Sequence, residues 1–178
     1  FCEIDLKIAE AKLVRPATLE STKVANQDFL VSYFRDGNGA PLLQHLAQKG
    51  QRIINFGTPI NVVGVDNRAL DHSAFQTCMQ QAKGVVGSAG SNLIFEAIAL
   101  KKPLLLAFKA NDFEQATNAK YVEYIKNGVS FPMDKINEEK IARFCALLEK
   151  GDKEVDGLKK IPELSKVVSQ HLKRAYRL

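Results

Sequence analysis

Long apolar runs are missing from this chain of 178 residues. Leu104 to Phe108, as long as any, suits a buried strand and falls far short of the roughly 20 residues a membrane helix needs. Cysteine is scarce: Cys2, Cys78 and Cys145 are distant, odd in number and without CxxC spacing, which excludes a disulfide framework and a zinc site. A reducing cytoplasm is therefore the expected compartment. The three histidines, His45, His72 and His171, are scattered, and there is no Asp-x-Asp pair, so no metal site is expected. The P-loop pattern GxxxxGK[ST] is absent, and Gly37-Asn38-Gly39 lacks the third glycine of a dinucleotide fingerprint. Residues 1–14 mix acids with bases, unlike a secretory signal.

What is present fits a globular protein. Hydrophobic residues make up 46% and charged residues 25%, a balance that excludes disordered and low-complexity chains. The length corresponds to about one domain. Net charge is +5, from 25 bases and 20 acids, and its location matters more than its sum. Residues 159–178 carry six bases against the single acid Glu163, so residues 1–158 are neutral overall. Such a basic tail is ordinarily a solvated face; an anionic membrane surface, at the inner side of a membrane, is the sharper alternative. Nothing points to nucleic acid.

The pattern then alternates. Residues 1–27 read as an incoming linker, the tail of a domain preceding Phe1. Residues 28–178 read as one domain with C-terminal helices. Strands are expected at 29–34, 52–56, 60–65, 84–87 and 103–108. Helices are expected at 41–49, 73–83, 92–100, 113–126, 138–149 and 161–176, the fourth closed by Asn127-Gly128. Apolar strands alternating with helices predict an α/β fold, a Rossmann-like parallel sheet with helices on both faces.

Residues 84–119 carry the chemistry: GVVGSAGSNLIFEAIALKKPLLLAFKANDFEQATNA. A strand runs through GSAGSN directly into a helix. Small residues let the backbone turn sharply, so that N–H groups at the helix start face outward. With the helix dipole behind it, such a turn binds an anion, and phosphate is the obvious guest. The plainer alternative is a tight strand–helix turn.

This segment resembles the nucleotide-sugar-binding C-terminal half of GT-B-fold glycosyltransferases, of the families containing the peptidoglycan N-acetylglucosaminyltransferase. The shared features are the glycine turn, the helix with Glu-Ala, the strand entered by Lys-Pro, and the loop leading to Glu-Gln and Asn-Ala. The resemblance implies that Ser88, Ala89, Gly90, Ser91 and Asn92 hold a diphosphate, joined by Arg35 from the loop after the first strand. It implies that Glu96 accepts hydrogen bonds from ribose hydroxyls and that Leu70 lies at the base. Glu114, Gln115 and Asn118 match the contacts to the donor sugar. Three of these positions have a second reading: Glu96 could be an acid near a helix start stabilised by the dipole, Gln115 could complete a capping box with Asp112, and Asn118 could brace the loop.

The implied function is metal-independent transfer of a sugar from a nucleotide sugar, with UDP expected as carrier and no cofactor. The catalytic base and acceptor pocket would lie in an N-terminal half, on the same chain or on a partner subunit. The alternatives are a nucleotide-sugar epimerase or hydrolase of the same fold, and a non-catalytic nucleotide-sugar-binding module.

Overall fold

A computed structural model of the chain describes residues 25–150. The expected incoming tail (apart from its last residues) and the basic helix at 161–176 lie outside the described residues. In chain order the elements are β1 (Gln27–Tyr33), α1 (Ala40–Gln48), β2 (Ile53–Asn55), β3 (Val65–Asn67), α2 (His72–Gln81) and β4 (Ala82–Gly87). There follow α3 (Ser91–Ala99), β5 (Leu104–Phe108), α4 (Phe113–Tyr124), β6 (Gly128–Pro132) and α5 (Glu138–Lys150).

The strands form one parallel sheet in the order β3-β2-β1-β4-β5-β6. The chain builds outward from β1 to β3, then returns to lay β4 on the other side of β1. At that reversal the connections leaving β1 and β4 diverge, which opens a crevice at the carboxyl edge of the sheet.

Successive strand residues face opposite sides, and both sides are covered. Val31, Val85, Leu104 and Leu106 pack under α2, α3 and α4 through Met79, Ile94, Ile98 and Val122. Leu30, Val86, Leu105 and Val129 pack under α1 and α5 through Leu43, Leu46, Ile141 and Phe144. The expected doubly covered α/β sheet is thus present.

Four local expectations are corrected. The third strand is Val65–Asn67, not 60–65, because the Asn67 side chain occupies the backbone of Ile60: Nδ2 donates to its carbonyl at 2.8 Å and Oδ1 accepts from its N–H at 3.1 Å. The second helix stops at Gln81, since Ala82 already pairs with Gln27 in the sheet. A sixth strand, Gly128–Pro132, was not anticipated; its proline, at the last position of an edge strand, hid it. Gly128 is accordingly not a helix cap. The left-handed residue there is Lys126 at φ 58°, whereas a Cβ on Gly128 would lie 2.2 Å from the Leu104 carbonyl oxygen.

The Lys-Pro pair entering β5 serves the opposite end of the sheet. Lys102 is buried, and its ammonium donates to Asn26 Oδ1 and the Gln80 carbonyl. Its own carbonyl accepts from Asn127 Nδ2 at 3.1 Å. No helix of the described residues is long and apolar enough to cross a membrane.

Candidate functional site

β4 ends at Gly87, where a Cβ would stand 2.5 Å from Leu93 Cδ2 and 2.7 Å from the Tyr33 carbonyl oxygen. Only glycine lets the strand end pass so close to both. The turn closes with Gly90 N–H donating to the Ser88 carbonyl at 2.8 Å. Gly90, the N-cap residue of α3, is extended, and a Cβ there would meet nothing within 4 Å.

α3 begins without a side-chain cap. Asp71 and Asp112, by contrast, cap α2 and α4, accepting from Ala74 N at 2.7 Å and Gln115 N at 3.0 Å. The first-turn N–H groups of α3 therefore lack the carboxylate that its neighbours carry, and the positive end of its dipole opens on the crevice.

Two concavities meet there. The polar one, about 480 Å³, is lined by Arg35, Ser88, Gly90, Ser91, Asn92, Glu114 and Gln115, with Asp36, Lys109 and Met133. The more apolar one, about 420 Å³, is lined by Leu70, His72, Phe75 and Glu96. Tyr33, Asn92 and Leu93 line both, so the two form one groove along the start of α3. The Phe75 ring, 5.9 Å from that of Tyr33 and 5.3 Å from that of Phe56, builds the aromatic wall.

Most of the anticipated residues thus share one groove. Ala89 and Asn118 do not line it, because both are fully buried. Asn118 lies beneath the turn, with Nδ2 donating to the Ala89 carbonyl at 2.9 Å. This geometry offers the brace and not a direct sugar contact. Gln115 keeps both of its readings: it lines the groove, yet its Nε2 donates to Asp112 Oδ2 at 2.8 Å within the cap. Glu114 lines the groove without a role in that cap.

The electrostatics differ along the groove. Burial raises the Glu96 carboxyl above the ordinary range, and the nearby His72 partly opposes this. At the polar end Asp36 is held below its ordinary value, chiefly by the hydrogen bond from Lys109. Sequence reasoning missed Tyr33, Asp36, His72, Phe75 and Lys109. For Tyr33 and Lys109 a signal existed: one ends a strand and the other directly follows one, at the edge where ligands sit. Among the described residues no group of three or more His, Cys, Asp or Glu is placed to hold a metal ion.

The chain matches the model of Glycosyl transferase family 1 over residues 8–149. It belongs to that family. Solved structures agree on the fold. The calicheamicin glycosyltransferase CalG4 superposes with a TM-score of 0.60 at 12% identity, over 85% of this chain and 44% of its own. SnogD, a glycosyltransferase from Streptomyces nogalater, gives 0.58 at 14% identity, over 83% and 42%. The spinosyn rhamnosyltransferase SpnG gives 0.56 at 18% identity, over 83% and 46%. At such identities the likeness concerns fold alone, and the family 1 domain corresponds to one half of a GT-B architecture. The chain spans less than half the length of these structures. No curated protein matches it.

Proposed function

We propose that the groove of this family 1 domain binds a nucleotide-sugar donor, a UDP-sugar first among the candidates, for transfer of its sugar to an acceptor. The observation that carries the reading is the continuity of two unlike concavities along one helix start. The apolar end, with Leu70 and the half-buried Glu96, suits a nucleoside: the carboxylate can accept from two ribose hydroxyls. The uncapped N-terminus of α3, with Ser88, Ser91 and Arg35, suits the diphosphate. Glu114 and Gln115, at the far side of that turn, suit the hydroxyls of the sugar. In this reading the charge of the departing diphosphate is met by the helix and by Arg35, and no metal is invoked. The acceptor and the general base belong to a further half, on the same chain or a partner.

The test is thermal unfolding of the chain across a series of nucleoside diphosphates. At a ligand concentration 100-fold above the dissociation constant the stabilisation should be about 2.7 kcal/mol. A flat response to every nucleotide overturns the reading.

A further inference from the structure

One ion pair in the groove has no part in the roles above. Lys109 Nζ lies 2.6 Å from Asp36 Oδ2. Lys109 directly follows β5, and Asp36 sits in the loop after β1. Those strands are not neighbours, because β4 lies between them. Two strand spacings are about 10 Å, so the pair arches across the carboxyl end of β4, where Ser88 starts the turn into α3. Both residues line the same concavity as Ser88, Ser91 and Asn92.

The side chains of Lys109 and Asp36 are 46% and 43% exposed. An ion pair this open is screened by solvent and salt and adds little to the stability of the fold. The chain thus keeps an ammonium beside the start of α3 on a partner that it can release at small cost. A diphosphate seated on α3 presents several oxygens and more negative charge than one carboxylate, and so competes well for the same ammonium.

We propose that Lys109 is an anion-binding residue of the groove, whose resting partner Asp36 is exchanged for the diphosphate of the bound nucleotide. This rests on the reading of the groove as a nucleotide site and adds a residue to it. It also assigns Asp36 the part of a competitor, so substitutions at the two ends of the pair act in opposite directions. A merely structural pair would respond with the same sign at both ends.

Calorimetric titration of the chain with UDP, uridine and inorganic pyrophosphate tests this. K109M should weaken UDP about tenfold, the loss of one charge-assisted bond, and K109R should restore most of it. D36N should tighten UDP about two- to threefold by removing the competitor, and should do nothing in a K109M background. Uridine should bind all variants alike.

If the wild type binds UDP and K109M binds it equally well, Lys109 is not a ligand and the inference falls while the nucleotide reading stands. Weaker binding by D36N overturns the exchange. A K109M effect limited to UDP-sugars that carry a carboxylate, with UDP itself unchanged, moves Lys109 to the sugar and overturns the diphosphate assignment. If no nucleotide binds the wild type, the nucleotide reading fails. Pyrophosphate then decides Lys109 separately: equal affinity for wild type and K109M removes it as an anion ligand.

Discussion

Asn118 donates its Nδ2 to the Ala89 carbonyl at 2.9 Å, so that α4 holds the turn that precedes α3. Both residues are fully buried, and Asn118 Oδ1 has no hydrogen-bond partner among the described residues. The turn is thus tied from below, while its upper side forms the polar end of the groove. Asn118→Ala leaves a buried carbonyl unpaired at the base of the turn. A stability loss of about 1–3 kcal/mol is expected. Binding of UDP per folded molecule should weaken as well, because the turn loses its anchor. Chemical denaturation alongside titration checks both; unchanged affinity in the folded fraction would limit Asn118 to stability.

Glu96→Gln should weaken UDP without unfolding the domain. A carboxylate accepting from two hydroxyls becomes an amide with one acceptor oxygen, a loss of roughly 1.5–3 kcal/mol. Affinity would fall about tenfold or more. Titration calorimetry with a melting curve for each variant measures this, and a lower melting temperature with unaltered affinity would make Glu96 a structural residue.

The same carboxyl predicts a pH dependence. Burial raises its pKa in the unliganded protein, and hydroxyl donors from a ribose favour the charged form. Ligand binding should therefore release a proton from Glu96, and affinity should fall as pH drops through its raised pKa. His72 partly opposes the shift, and the nucleotide phosphate titrates as well. The informative quantity is thus the difference between the affinity–pH profiles of the wild type and Glu96→Gln. Parallel profiles would remove the contribution of Glu96.

Glu114 and Gln115 should separate. Glu114→Ala is expected to weaken a UDP-sugar by about 1–3 kcal/mol while leaving UDP nearly unchanged, since only the sugar hydroxyls lose a partner. Gln115→Ala also removes the side-chain contact to the Asp112 cap, and should lower stability by up to about 1 kcal/mol. Titrating each variant with both ligands distinguishes the effects. Equal losses for UDP and UDP-sugar in Glu114→Ala would sink the sugar assignment.

Away from the groove, Glu123 joins three elements. Its Oε1 accepts from Lys140 Nζ at 2.7 Å and from Ser130 N–H at 2.8 Å, linking α4, α5 and β6. Burial alone would raise its pKa; the bonds from Lys140 and Ser130 outweigh this and lower it. Its contribution to stability is therefore present above the ordinary glutamate pKa and lost as pH falls through the depressed folded value. Glu123→Gln should reduce stability at neutral pH by about 1–2 kcal/mol and flatten the acid limb of the stability profile. Unfolding curves between neutral and strongly acidic pH test both.

The layered architecture was legible in the chain because it rests on local rules. Apolar runs such as Leu104 to Phe108 have no polar alternation, as strands covered on both faces require, and the helices between them follow from periodicity and caps. The GSAGSN turn was legible for the same reason: Gly87 is demanded by a neighbour only a few residues along, Leu93, as well as by Tyr33. β6 was not, since its pairing partner is β5 and its sequence ends in a proline that argues against a strand. Nor could sequence choose between the two readings of Asn118, because the carbonyl it meets lies 29 positions away. The sequence by itself determined the order of the elements from β1 to α4 and the small-residue turn that joins β4 to α3. Only the tertiary structure decided that Asp36 and Lys109 meet across the end of β4, beside the start of α3. Their meeting depends on the crossover that places β4 between β1 and β5, a relation between distant segments that no local spacing encodes.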